Sequence, residues 1–443
     1  MGQQRFESRR KQLAKQMGSN TIAVLATAPV AIRNRDTEYP FRPDSDFFYL
    51  TGFPEPEAVM VLVAEKKAPP RFLLFCRERN PEKEIWDGRR AGQEGAVKLH
   101  GAHEAYPIAK LDEMMPTLLE NRSTVYYAVG RSKEFDERLV GWRNQVLQKT
   151  RTGVRAPMQL CALESIVHEM RLRKDTDEMA TMRRAAAISA TAHRRAMEVC
   201  QPGMQEYEIE AELLHEFTRQ GSRSPAYESI VASGENACIL HYRENTDTLY
   251  DGDLLLIDAG CEFGGYASDI TRTFPINGRF TPAQKAIYQL VLDAQDAAIA
   301  KAKPGKRWNE PHDAAVAVLT RGLVKLGLLK GRTDNLIKEG AYRRFYMHRT
   351  GHWLGMDVHD VGDYRVDDKW RKFERGMVFT VEPGLYIAPH SKGVGKEWWG
   401  IGVRIEDDVL ITAQGCQVIT AAAPKRVEEI EALMARAALR RRA

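Results

Sequence analysis

At 443 residues with 43% hydrophobic content, the chain is longer than one core usually serves, so two globular domains are expected. Its 65 basic against 60 acidic residues leave a net charge of +5, too small and, with Arg436, Arg440, Arg441 and Arg442 in the tail, too local to mark a nucleic-acid binder. No apolar run approaches a membrane span, Arg5, Arg9, Arg10, Lys11 and Lys15 interrupt any signal-peptide core, and six scattered cysteines without a C-x-x-C pair speak for a cytoplasmic, reducing setting and against a thiolate zinc site.

Phe6, Leu13 and Met17 among charges predict an opening amphipathic helix over 4–18 that ends near Gly18. Apolar β-branched or aromatic runs at 21–25, 58–63, 72–75 and 125–129 then read as strands, with helical stretches at 92–99 and 111–119, a pattern typical of an α/β domain. The polar segment 33–50, containing Asp36 and closing on Phe47, Phe48 and Tyr49, reads equally as a solvated loop before a packing element or as an active-site rim. Trp86-Asp87-Gly88-Arg89-Arg90 is a similar exposed candidate.

A helical region starts near Leu163, and charges from Arg171 to Asp177 interrupt it, which sets a domain boundary at Arg173: an N-terminal domain over 1–173 and a second over 174–443. Helices follow at 175–200, 206–220, 281–302 (Thr281 as cap, Pro282 in the first turn), 311–326 and after Pro424.

Between them lie two related acid-bearing stretches. The run Leu254-Leu255-Leu256-Ile257 suits a buried strand, yet Asp258 follows it, and after the glycine-marked turn at Gly260, Gly264 and Gly265 the chain returns past Asp269. If the runs pair antiparallel, the two carboxylates meet at one end of the ladder and repel unless a cation sits between them. The order glycine, buried run, acid, small or cyclic residue, glycine recurs at 376–384 with Glu382 in the place of Asp258, and Glu406 returns as Asp269 does. Four acids are thereby offered to one centre.

Eleven histidines are present, and His348, His352 and His359 crowd into a glycine-flanked stretch between these hairpins. One imidazole added to four carboxylates makes an oxygen-rich, sulfur-free set suited to Mn²⁺, Co²⁺ or Zn²⁺. Arg404 shares a strand face with Glu406, where it can orient a carboxylate ligand or balance the acids.

The D-x10-D pair Asp258/Asp269, the His348-to-Gly355 segment, Glu382-Pro383-Gly384 and Arg404-to-Asp407 together resemble the pita-bread metallopeptidases. Within that group, residues 36–53 and His241-Tyr242 make the resemblance one to the aminopeptidase P family over essentially the whole chain. The resemblance implies an N-terminal α/β domain followed by a pita-bread domain with a curved antiparallel sheet and flanking helices. It implies two divalent ions, usually manganese, with Asp258 on one, His352 and Glu382 on the other, and Asp269 and Glu406 bridging. His241 and His359 would flank the substrate with His348 close by, and Glu382 would also accept a proton. The expected reaction is removal of the first residue from peptides with proline second, by a homo-oligomer, a tetramer or dimer, in which Trp86 or Asp36 reaches a neighbour's site. An Xaa-Pro dipeptidase shares this metal set and is the alternative; a non-catalytic binding protein of the same fold would not need the intact ligands.

Overall fold

The computed structural model describes residues 3–442. The chain divides into two compact units, 1–170 and 171–443.

The first unit is built on a six-stranded sheet in the order Glu104–Pro107, Arg71–Cys76, Val59–Ala64, Thr21–Ala26, Thr124–Tyr127, Gln159–Ala162. The three central neighbours pair antiparallel and the outer ones parallel. Every residue of Val59–Ala64 is buried, which is why that run is continuously apolar rather than alternating. Leu111, Met115 and Leu119 of one helix and Leu139, Trp142 and Val146 of another, Lys133–Gln148, pack on Ile22, Val24, Val61 and Phe75. The opening helix spans Gln3–Met17. The segment 33–50 resolves into an exposed hairpin, Ile32–Asn34 with Thr37–Glu38, followed by the helix Ser45–Thr51, whose Phe47 and Leu50 are buried and whose first turn is capped by Asp44.

In the second unit, a capping box of Asp175 and Glu178 opens the helix Thr176–Val199. Two small antiparallel sheets follow, Ile230–Ser233, Leu254–Asp258, Thr271–Pro275 and Val378–Val381, Asp407–Ile411, Cys416–Val418, beside the paired strands Gly384–Ile387 and Ile401–Arg404. They are knit together where the Glu406 N–H donates to the Thr271 carbonyl at 3.0 Å. Helices Glu206–Arg219, Pro282–Ile299, Asn309–Lys325 and Val427–Arg442 join the same core: Ile188, Leu213, Ile287, Val291, Leu319 and Ile430 bury Leu255, Ile257, Phe274, Val381 and Val409. Burying this side leaves the acids at the strand ends to face elsewhere. No helix among the described residues is long and apolar enough to cross a membrane.

Candidate active site

In the first hairpin Asp258 pairs with Thr271, so Asp269, two residues earlier, projects from the same face as Thr271. The strands come so close here that a Cβ on Gly260 would lie 1.7 Å from the Ser268 carbonyl oxygen, which is why glycine follows the acid. The second hairpin is broken into two ladders, with Val381 opposite Asp407 and Gly384 opposite Arg404. Glu382 and Glu406 occupy the break, facing one another by this register, and Pro383, with no N–H to give a ladder, sits beside them.

His352 comes from a stretch, 346–360, without helix or strand beyond a bridge from Trp353 to Phe379. Its backbone is strapped to Val378–Val381: the Thr380 N–H donates to the His352 carbonyl at 2.9 Å, Leu354 N–H to Val378 at 3.0 Å and Glu382 N–H to Thr350 at 2.9 Å. A Cβ on Gly351 would meet the Thr380 carbonyl oxygen at 1.9 Å, so this close approach requires glycine. The His352 Nδ1–H donates to the Trp353 carbonyl at 2.9 Å, turning Nε2 toward Asp269 at 3.4 Å and Glu382 at 3.7 Å.

Three of the predicted ligands come together. One ligating atom each from Asp269, His352 and Glu406 lies within 4.8 Å of the others. Arg404 Nη2 donates to Asp258 Oδ2 at 2.7 Å, its Nε to Thr271 Oγ1 at 3.1 Å and its Nη1 to Tyr386 Oη at 3.0 Å. The carboxylate it orients directly is therefore Asp258, and it reaches Glu406 through Thr271, whose hydroxyl donates to Glu406 Oε2 at 2.6 Å. His348 accepts at Nε2 from Tyr386 Oη at 2.8 Å, and its Nδ1 lies 3.7 Å from Glu382. The His359 ring stands edge-on to His352 with centroids 4.3 Å apart. His241 is exposed, and its charge would repel those of His348 and His359. Asp36 and Trp86 belong to the first unit, where both are exposed.

Several partners were invisible to sequence reasoning. Tyr227 Oη lies 2.7 Å from Asp258 Oδ1 and 2.5 Å from Asp269 Oδ1, Thr380 donates to Glu382 Oε1 at 3.2 Å, and Asp408 accepts from the Asp269 N–H at 3.2 Å. Only Thr271 had a readable signal, its place two residues beyond Asp269 on one strand face.

Burial pushes Glu382 up to about 7, against the pull of His352 and Arg404. Burial, then repulsion from Asp269 and Glu382, raises Glu406 far above the usual carboxylate range. Although burial disfavours its charge, hydrogen bonding to Asp269 and the field of Glu382 hold His352 up to about 9. Burial lowers His348 to about 3, with Arg404 adding to the effect, and burial with His352 lowers His359. Four carboxylates thus share one guanidinium, and Tyr227 has a single hydroxyl proton for two of them. Protons alone balance this charge poorly, and a divalent cation fits the oxygen-rich donor set.

Paired hairpins that gather four acids and a histidine above a helix-covered core define a metallopeptidase of the pita-bread class. Residues 180–413 match the model of metallopeptidase family M24, and residues 6–126 match the aminopeptidase P N-terminal domain. The chain is 48% identical to the Xaa-Pro aminopeptidase of Escherichia coli K12, with 98% of each covered, and 45% identical to that of Haemophilus influenzae, with 97% of this chain and 96% of that one covered. Among solved structures it is similar to Pseudomonas aeruginosa aminopeptidase PepP, with a TM-score of 0.97 and 58% identity over 99% of each chain. The chain belongs to metallopeptidase family M24 and carries the aminopeptidase P N-terminal domain.

Proposed function

We propose that the protein is a metal-dependent exopeptidase that removes the first residue from peptides with proline in second position. The observation that carries this reading is likeness over nearly the whole chain to enzymes named Xaa-Pro aminopeptidase, joined to a cluster of Asp269, His352 and Glu406 that could hold a metal ion. In this reading the N-terminal domain is 1–173 and the catalytic domain 174–443. Two divalent ions, manganese by preference, would be held by Asp258, Asp269, His352, Glu382 and Glu406, with Asp269 and Glu406 shared between them; the excess of acids over cations supports a count of two. When bound, such ions polarise a peptide carbonyl and make a water acidic enough to ionise near neutral pH.

The chain's own groups do the rest. Glu382 would accept a proton from the attacking water and return it to the departing proline nitrogen. His359 and His241 donate N–H groups to the scissile carbonyl, and the lowered His359 keeps a neutral ring that can donate without adding positive charge to the site. Arg404 holds Asp258 and, through Tyr386, His348.

The dipeptidase alternative requires a cation for the carboxylate that directly follows proline. Arg404 does not meet that need, because Asp258, Thr271 and Tyr386 take its donors. Kinetics on Xaa-Pro-Xaa, Xaa-Pro and N-acetylated Xaa-Pro-Xaa test the choice: the free tripeptide should have the highest kcat/KM and the acetylated one should resist. Preference for the dipeptide would establish the alternative.

A homo-oligomer in the cytoplasm completes the proposal. Ile85 and Trp86, 81% and 86% exposed, sit on a short helix fixed by the Asn80 cap and an Arg79–Glu84 ion pair, an apolar surface that a second copy would cover. The cysteines are free, in keeping with a reducing compartment.

A further inference from the structure

His241 lies in a segment with little regular structure of its own. Between the strands Ile230–Ser233 and Leu254–Asp258 the chain forms one short 3-10 helix, Gly234–Cys238, and then runs irregularly to residue 253. No strand ladder sets the direction of a side chain there.

One buried carboxylate gathers several parts of the segment. Glu206, in the first turn of Glu206–Arg219, is fully buried, and its hydrogen bonds come from neutral groups of this segment. Its Oε1 accepts from the Ser233 N–H at 2.7 Å, the Ser233 hydroxyl at 2.8 Å and the Asn236 amide at 3.2 Å. Its Oε2 accepts from the Tyr242 hydroxyl at 2.8 Å and the Asp247 N–H at 3.0 Å. The Glu206 N–H also donates to the Asp247 carbonyl at 3.0 Å.

Tyr242, the neighbour of His241, is pinned at both ends. Its ring packs with Ile230, Ala232, Leu256 and Tyr386, and its hydroxyl ends on Glu206. One turn further along the same helix, Glu210 accepts at 3.0 Å from the Asn245 amide, which also donates to the Ser229 carbonyl at 2.9 Å. Asn245 has φ of 48°, a left-handed conformation tied down by these two bonds.

Burying a carboxylate without a cation is costly, and the positive end of its helix offsets only part of that cost. A segment that needed mere cohesion could be packed with apolar residues. Directed bonds from five donors specify one geometry instead. We propose that Glu206 is a positioning residue that sets His241 toward the scissile carbonyl, acting through Tyr242 and the 233–247 segment. This rests on the reading of His241 as a substrate-contacting donor in an Xaa-Pro aminopeptidase.

The test is a double-mutant cycle on the full-length, metal-loaded protein with an Xaa-Pro-Xaa tripeptide. Glu206→Gln, His241→Ala and the double variant are compared for kcat, KM and metal content. Glu206→Gln keeps the shape but places an amide N–H against a donor, so kcat should fall by about 10²-fold, the cost of a misplaced catalytic group, with metal content unchanged. In the His241→Ala background the same change should have an effect within about twofold, because the group it positions is gone. Equal loss in both backgrounds, or Glu206→Gln cleaving at the wild-type rate, overturns the proposal. If Glu206→Gln does not fold, Tyr242→Phe removes one donor without changing the ring and serves in the same cycle, with a smaller loss expected that again vanishes beside His241→Ala. His241→Ala at full activity also overturns the proposal, by removing the role of His241. A wild-type enzyme that leaves the tripeptide intact would instead refute the aminopeptidase reading.

Discussion

Arg404 and Asp258 are joined at 2.7 Å, and this ion pair carries a guanidinium from the second hairpin to a carboxylate of the first. Both side chains are largely withdrawn from solvent, so the pair is weakly screened and its geometry matters. Lysine at 404 keeps the charge but loses the fork that also serves Thr271 and Tyr386. Arg404→Lys should therefore lower kcat by about tenfold or more while the protein stays folded, since a point charge does not replace a fork. Steady-state kinetics beside a thermal melt distinguish this from unfolding, and unchanged kcat would remove Arg404 from the working site.

Asp269 lies near His352, Tyr227 and Glu406, and in the proposed site it would be shared by both ions. Asp269→Asn removes one negative charge from that position and leaves any two cations less shielded from one another. Metal content and turnover should fall together, as read by metal analysis and kinetics on one preparation. Two retained ions with normal turnover would contradict the bridging role.

The titrating groups give a pH dependence of stability. Without metal, Glu382 is raised from 4.5 to about 7 and His352 from 6.5 to about 9, so the folded state binds both protons more tightly than the unfolded chain. Their contribution is present in full below the unfolded values and is lost as pH rises through about 7 for Glu382 and about 9 for His352. Metal binding needs both groups deprotonated and so becomes easier over the same range. Melts of chelator-treated protein should show the rise in Tm on adding Mn²⁺ growing with pH across this window. A rise that stays flat or shrinks would mean that these groups do not share their site with a metal.

His359 touches the His352 ring edge-on, and Asp360 beside it is held by Arg171 and Lys174 at 2.6 and 2.9 Å. Its expected work is at the substrate carbonyl. His359→Ala should keep its metal and lose about 10²-fold in kcat, the scale of a lost oxyanion donor. Loss of metal on this substitution would make His359 a ligand.

Asp258 and Glu382 were legible because each stands where a buried strand should not continue into a charge. Asp258 after four apolar residues and Glu382 after Val381 both announce a cost that something must offset. The repeated glycine–run–acid–glycine order then ties the two hairpins together, and the glycines at 260 and 351 prove to be sites of close backbone approach. What stayed hidden is long-range. Tyr227 is 31 residues from Asp258, and Tyr386 meets His348 across 38, so spacing carries no sign of either. The helix Lys133–Gln148 escaped notice because only Leu139, Trp142 and Val146 are buried along its charged length. The break of the second hairpin into two ladders also needed the structure, since Glu382 and Glu406 share the gap beside Pro383.

Cleavage before proline should depend on metal held by Asp258, Asp269, His352, Glu382 and Glu406. That dependence is tested most directly by stripping the protein with a chelator, adding Mn²⁺ back in steps, and following bound metal and release of the first residue from an Xaa-Pro-Xaa peptide together. The stripped protein should release nothing, and the rate should return as the sites fill, ending with two ions per chain. Release at the full rate by the metal-free protein would contradict it.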